Sequence, residues 1–415
     1  MRMFLVFAAS CMALFGLTLS ESIDLAVDNS PKVSISKSNI KYGEYLEDEA
    51  RASYHPTLDA GFAWQKIENT TAFSFSPTYN YSLSLKYNLF NGFSDYSTIS
   101  SKKSDLEVFK LENISVIADL KLSVIRSYTD YLKAKKSIKT QEEQLASLIK
   151  QYDDTRVRYE QGVVAKNELL LIDVEKLKVE QDLIKAKSDS ILARSNLENS
   201  IGVPIADSDT IDDFDAAVDT EKLEDISLLE SKMMQKRSEI KAMLFKNKSL
   251  ISQKDAVRGN YLPKVNVETA YQVNDQERGF DTSVVQPKDQ TTLNLNVSWN
   301  LYSGFRGESK MRALLEQASQ QNYQLHQLKL DLKNQLIKAY EEFRVAKSAK
   351  HVAARAIESA KENYRITADR YSYGDIDTLT LLVSQSTLTR AVNEYNNAYY
   401  DLYVAYKTLE RITSE

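Results

Sequence analysis

Cysteine, histidine, proline and glycine are all scarce in this chain, and each scarcity narrows what the protein can be. The one cysteine, Cys11, sits in an apolar run at the N-terminus. A chain that loses that run has no disulfide, no thiolate metal site and no cysteine nucleophile. The three histidines, His55, His326 and His351, lie far apart without clustered carboxylates, which is the pattern of surface or packing residues. No glycine-rich phosphate loop or nucleophile motif occurs, so neither an enzyme nor a cofactor is expected. Beyond the N-terminal run no stretch approaches the roughly 20 apolar residues of a membrane-spanning helix. If the mature chain enters a bilayer, it does so with β-strands. Lys and Arg number 53 against 58 Asp and Glu, a formal net charge of −5, which argues against a nucleic-acid partner.

Arg2 and the apolar residues from Met3 to Leu19, followed by Ser20 and Glu21, read as a Sec-type signal peptide over residues 1–20, cleaved near Ser20 or Ser22. A retained membrane anchor is the competing reading. Cys11 follows Ala8, Ala9 and Ser10 as in a lipoprotein signal, but position 8 lacks a bulky aliphatic residue and the chain stays apolar afterwards. Lipidation is therefore not expected.

Only eleven glycines and six prolines punctuate the sequence, and none falls between Ser94 and Gln161 or between Glu308 and Tyr373. Both stretches are rich in helix formers and predict continuous helices on the order of 100 Å long. In the first, Ile117, Val124, Tyr131, Ile138, Leu145, Tyr152 and Tyr159 recur every seven residues, a heptad seam. In the second, Leu332, Ala339, Ala346, Ala353 and Ala360 alternate with Leu336, Phe343, Ile357, Tyr364 and Tyr371, and the alanines permit close helix approach. Lys121, Lys135, Glu142, Arg156 and Lys350 interrupt these seams, as suits helices with changing neighbours or a watery lining. Shorter helices are predicted from Ile23 to Ser53, Val163 to Ile201, Leu223 to Arg258 and Asp375 to the C-terminus. Asp207 to Asp225 holds nine acidic residues and one basic one and reads as a solvated linker.

Period-two segments complete the pattern. From Phe73 to Leu89 the odd positions are apolar, mostly aromatic or leucine, and the even ones are mainly Ser, Thr and Asn. Leu293, Leu295, Val297, Trp299 and Leu301 alternate with Asn294, Asn296, Ser298 and Asn300 in the same way. Weaker alternation precedes each, at Leu58, Ala60, Phe62 and Trp64 and at Val265, Val267, Thr269, Tyr271 and Val273. A soluble half-buried sheet is one reading. The heptad helices nearby offer no cover for the apolar faces, however, and a polar face poor in charge suits a water-filled barrel facing lipid outside. Tyr87, Phe90, Phe93, Trp299, Tyr302 and Phe305 gather where strand gives way to helix, as an interfacial aromatic girdle does. Four strands are too few to close a barrel, so other copies of the chain must pair the edges.

A shift of 212 residues superimposes Tyr87-Asn88-Leu89-Phe90-Asn91-Gly92-Phe93 on Trp299-Asn300-Leu301-Tyr302-Ser303-Gly304-Phe305, and Arg158-Tyr159-Glu160-Gln161-Gly162 on Arg370-Tyr371-Ser372-Tyr373-Gly374. A shift of 207 pairs Tyr54-His55-Pro56 with Tyr261-Leu262-Pro263. The chain is a tandem duplication. Its expected organisation is residues 1–20 signal peptide; 21–206 first repeat, with a β-hairpin about 57–90 and a helical hairpin about 94–201; 207–225 acidic linker; and 226–415 second repeat, with hairpins about 263–302 and about 308–412. Through its paired Tyr-x-Pro strand entries, its Gly-Phe strand exits and its two Arg-Tyr-x-x-Gly turns, the chain resembles the TolC-like outer-membrane factor family of Gram-negative bacteria.

The resemblance implies a mainly α fold with a β-barrel: four strands and long helical hairpins per protomer, and a homotrimer forming a twelve-stranded outer-membrane barrel continued by a twelve-helix periplasmic tunnel. It implies a passive exit channel of a tripartite efflux pump or type I secretion system, docked to a periplasmic adaptor and an inner-membrane transporter. A structural or adhesive trimeric stalk and a soluble coiled-coil scaffold are the alternatives. Nothing in the sequence names a cargo. The turns are the candidate adaptor-docking tips, through Arg158, Tyr159, Gln161, Gly162, Val163, Val164, Arg370, Tyr371, Tyr373, Gly374, Asp375 and Ile376. The family narrows its tunnel entrance with acidic rings six and nine residues after the second glycine, but here Thr380 and Val383 stand there, and Ile376 replaces the basic partner. Glu168, six residues after Gly162, and Tyr371 match other gate positions, so the entrance residues carried over are Glu168, Tyr371, Thr380 and Val383.

Overall fold

The computed structural model describes residues 17–66, 68, 77–205, 211–214, 225–276 and 289–414. Eight α-helices and four strands are found among them, with one 3-10 turn (Ala52–Tyr54) leading into the first strand: α1 (Leu19–Asn29), α2 (Pro31–Arg51), β1 (Thr57–Gln65), β2 (Thr78–Asn91), α3 (Ser94–Glu160), α4 (Lys166–Ile201), α5 (Ile226–Lys236), α6 (Ser238–Gly259), β3 (Lys264–Gln276), β4 (Asp289–Ser298), α7 (Arg306–Ser372) and α8 (Thr378–Ser414). The two glycine-free stretches are unbroken helices of 67 residues each, α3 and α7. The chain divides into two compact units, residues 1–36, 113–238 and 329–415 forming one and residues 37–112 and 239–328 the other.

The second unit holds the sheet. Its order is β1-β2-β3-β4 and every pair is antiparallel, so β1 and β4 are open edges. Register stacks Leu58 on Leu85, Phe62 on Tyr81, and Val267 on Leu295, which builds one continuous apolar face. That face is uncovered, with Leu58 at 67% and Leu293 at 75% exposure. On the opposite face Lys86 reaches Asp59 at 3.5 Å and Glu268 at 4.0 Å.

The strand ends differ from the expected ones for identifiable reasons. Phe73 to residue 76 lie outside the described residues. A bulge at Leu89 shifts the β2–β3 register between Asn88 and Phe90, so strict alternation ends there. β4 stops at Ser298, not Leu301, because its last partner is Lys264 and the next residue along β3 would be Pro263, which has no N–H to donate. Trp299 leaves the ladder and its indole N–H donates to the Tyr261 carbonyl at 2.9 Å.

Both Gly-Phe exits turn into helix through consecutive left-handed residues, Gly92 and Phe93 in the first repeat and Gly304 and Phe305 in the second. A phenylalanine at φ near 60° is strained. In each repeat its ring packs edge-on against an aromatic three residues back, Phe90 at 5.1 Å and Tyr302 at 5.7 Å. Elsewhere in this unit small residues bring helices together: Ser101 and Ser249 share a hydrogen bond of 2.9 Å, and Gly43 faces the Phe109 ring.

In the first unit the predicted helix from Ile23 to Ser53 is two helices. Pro31 opens α2, and Ser30 before it takes an extended conformation, as the proline ring requires. The predicted helix from Leu223 to Arg258 is likewise split, at Arg237, with no proline to break it. There the buried Arg237 side chain donates to the Arg411 carbonyl at 2.7 Å, a tertiary anchor for the break.

The core of this unit is built on Tyr128, Leu132, Leu197, Ile201, Ile205, Ile211 and Tyr400. Ile211 to Phe214, from the acidic stretch, form a strap docked on that core. Phe214 packs against Tyr128, Tyr400 and Tyr403, while Asp213 accepts from the Tyr400 hydroxyl at 2.6 Å and pairs with Lys136 at 2.6 Å. Within this acidic stretch Ile211 is buried and Phe214 half-buried, while Asp212 and Asp213 between them stay exposed. No helix among the described residues is long and apolar enough to cross a membrane.

Candidate functional site

Arg-Tyr-x-x-Gly is the sequence of a particular helix end. At the close of α3 the Gly162 amide donates to the Tyr159 carbonyl and the Val163 amide to the Arg158 carbonyl, both at 2.9 Å. At the close of α7 the Gly374 and Asp375 amides make the same bonds to Tyr371 and Arg370, both at 3.0 Å. These are paired Schellman caps, which place a left-handed residue after the helix, and Gly162 and Gly374 have φ of 73° and 78°. Arg158 and Arg370 set positive charge in the last turn, where the helix dipole favours it.

The next helices start differently in the two repeats. α4 begins after Ala165, which gives no side-chain cap, with Glu168 in its first turn. α8 begins after Asp377, whose carboxylate accepts from the Thr380 amide at 2.9 Å. The Thr380 hydroxyl and amide hold the Asp377 carboxyl below the usual carboxylate range.

A chain of hydroxyls joins the two turns. Thr378 donates to the Glu168 carboxylate at 2.8 Å, Tyr371 lies 3.3 Å from the Thr378 hydroxyl, and Thr155 lies 3.2 Å from the Tyr371 hydroxyl. One consistent direction of donation runs from Thr155 through Tyr371 and Thr378 to Glu168. Thr155 and Thr378 are each 1% exposed. The Arg158 guanidinium stands 5.5 Å from the centre of the Tyr371 ring. Just inside the turns, Leu148, Ile172, Val179 and Leu382 form a small core, and Gln151 donates to Gln385 at 3.0 Å.

Of the residues singled out from sequence, Glu168, Tyr371 and Arg158 are thus brought together. Val163 and Tyr373 are freely exposed, at 68% and 83%, and Tyr159, Gln161, Gly162, Arg370, Gly374 and Asp375 are exposed as well. Val164 and Ile376 are half-buried. Thr380 and Val383 face solvent and take no part in the hydroxyl chain. Sequence reasoning missed Thr155 and Thr378. The available signal was a threonine at position 155, seven residues after Leu148 on the buried side of α3, where an apolar residue is the default.

The family model for outer membrane efflux proteins matches residues 22–203 and 229–415. The alkaline protease secretion protein AprF of Pseudomonas aeruginosa is 22% identical over 418 residues, spanning 95% of this chain and 84% of its own. Among solved structures, CusC superimposes with a TM-score of 0.81 at 12% identity, over 95% of this chain and 92% of its own. The Campylobacter jejuni CmeC outer membrane channel does so with a TM-score of 0.80 at 13% identity, over 95% and 85%. The four-stranded sheet, the two long helical hairpins and the duplicated turns are thus the TolC-like fold, and the chain belongs to the outer membrane efflux protein family.

Proposed function

We propose that the protein is a passive exit channel of the Gram-negative outer membrane, extending into the periplasm and serving a tripartite efflux pump or a type I secretion system. The observation that carries this reading is the joining of the two repeat-related turns through Thr155, Tyr371, Thr378 and Glu168. It makes one tip of two hairpins, with a hydrogen-bonded interior and an exposed rim of Val163, Tyr373 and Asp375 for a periplasmic adaptor and its inner-membrane transporter to engage. No step of chemistry is needed. The likeness to AprF, a secretion protein by name, keeps type I secretion beside efflux.

The working form is a homotrimer. Two open sheet edges and an uncovered apolar face support a twelve-stranded barrel in lipid. Leu170, Leu177, Ile184 and Ile191 are exposed at seven-residue intervals on α4, and Val345 and Val352 likewise on α7. Seams of that period are completed by other helices, and a neighbouring protomer supplies them. Fractionation with the outer membrane, heat-modifiable trimers and ion conductance in a planar bilayer are the expected results. A purified trimer that does not conduct would refute the channel. Crosslinkers placed at Val163 and Tyr373 in living cells should capture an adaptor, and their failure to do so while export continues would refute tip docking.

Glu168 holds the entrance in place of the missing acidic rings. Glu168→Ala should raise single-channel conductance, and an unchanged conductance would remove this residue from the gate.

A further inference from the structure

We propose that the export signal is removed upstream of Leu17, so that Leu17 to Ser22 belong to the folded mature protein and not to its leader. Cleavage near Ser20 or Ser22, expected from residue type alone, would cut through structure that the fold uses. Thr18 is the N-cap of α1 in a reciprocal capping box: its hydroxyl accepts from the Glu21 amide at 3.3 Å, and the Glu21 carboxylate accepts from the Thr18 amide at 2.9 Å. Ser22 is fully buried, and both its amide, at 2.9 Å, and its hydroxyl, at 2.8 Å, donate to the Thr18 carbonyl.

Leu17 is tied down independently of the helix. It bridges in parallel to Ile211 of the strap, its carbonyl accepts from the Asp212 amide at 3.2 Å, and the hydroxyl of fully buried Tyr128 lies 2.8 Å from the same oxygen. Leu17 and Leu19 pack against the Tyr128 core. A new terminus at Glu21 would discard all of this. It would also set an ammonium group in the first turn of α1, at the positive end of the helix dipole.

The reaction is hydrolysis of one peptide bond: the C–N bond breaks, the water oxygen becomes one oxygen of a new carboxylate on the leader, and both water hydrogens end on the nitrogen of a new ammonium on the mature chain. Leader peptidases ask for small residues at the last and third-last leader positions, and the bond after Ala13, with Cys11 two residues before it, meets that requirement. Met3 to Ser10 then serve as the apolar segment.

The full chain, produced in a Gram-negative host and recovered from its envelope, tests this by intact mass and N-terminal sequencing. A first residue at or before Leu17, with the leader gone, is the expected result. A first residue at Thr18 or beyond, or a retained Met1, overturns the proposal. Fusing an unrelated cleavable leader directly to Leu17 or to Glu21 gives a second reading. The version starting at Glu21 should melt several degrees lower, and equal melting would overturn the structural role of Leu17 to Ser20. Neither measurement depends on whether the protein conducts ions.

Discussion

Gly162 and Gly374 show how a single residue type is dictated by a backbone requirement. Each stands at φ above 70°, separated by one residue from the end of a 67-residue helix, with open space where a Cβ would go. Alanine there meets no neighbour and costs only the left-handed strain, roughly 1 kcal/mol. Gly162→Ala should therefore fold normally and reveal itself as faster amide exchange over residues 158–164. Proline also removes the amide that bonds Tyr159, so Gly162→Pro and the matching Gly374→Pro are predicted to reach the outer membrane yet fail in export. Intact export with either would count against the tip as the docking element.

Thr378 is the hinge of the hydroxyl chain, and Thr378→Val leaves both the Glu168 carboxylate and the Tyr371 hydroxyl short of a partner. The loss should be about 1–3 kcal/mol, seen as a lower urea midpoint, with Thr378→Ser restoring most of it. Asp213 adds a pH dependence. Burial opposes its ionisation, but the hydrogen bonds from Lys136 and Tyr400 outweigh that and hold its carboxyl below the ordinary range. A depressed carboxyl stabilises the fold above its unfolded pKa, and that contribution disappears as pH falls through the folded value. The stability gap between wild type and Asp213→Asn should be full near neutrality and close in acid. A gap that widened on acidification would reverse the assignment.

Among the elements, the two broken helices are the most instructive pair. Ser30-Pro31 separates α1 from α2, and Arg237-Ser238 separates α5 from α6, at a spacing of 207 residues that matches the strand entries. In the first repeat the break is written locally, in a ring that cannot continue a helix. In the second it rests on a buried guanidinium reaching the carbonyl of Arg411. The strap is another such element. Its aromatic anchor, Phe214, sits between Tyr128, Tyr400 and Tyr403, so it links α3 of the first repeat to α8 of the second. Phe214→Ala should cost about 2 kcal/mol, below the range for a fully buried phenylalanine because the ring is only half-buried. An unchanged unfolding midpoint would mean that the strap rests on the core without holding it.

For the whole molecule, the apolar surface left open on one chain is too regular to be incidental. The α4 stripe repeats every seven residues over Leu170 to Ile191, and the sheet ends in two unpaired edges. Ile184→Asp places a charge in the middle of the α4 stripe, at a side chain already 70% exposed in the single chain. The protomer should keep its helical circular dichroism while the heat-modifiable trimer is lost. A stable trimer carrying Ile184→Asp would exclude the α4 stripe from the interface.

Much of this architecture was legible in the sequence because it is set by local physics. Glycine-free stretches of helix formers become α3 and α7, period-two alternation becomes strands, and Arg-Tyr-x-x-Gly becomes a Schellman cap, each within a few residues of chain. The duplication was legible for the same reason, since its markers are turns and strand exits whose residue types are constrained by backbone conformation. Only tertiary structure decided the rest. The sequence offered no sign that Thr155 and Thr378, 223 positions apart by their numbering, would share Tyr371. It gave Arg237 no reason to end a helix, and no sign that Leu17 would pack against the Tyr128 core. Those outcomes depend on which side chains from distant segments meet, and a buried polar or apolar group takes the partner that packing brings to it, not one that its neighbours in sequence can specify.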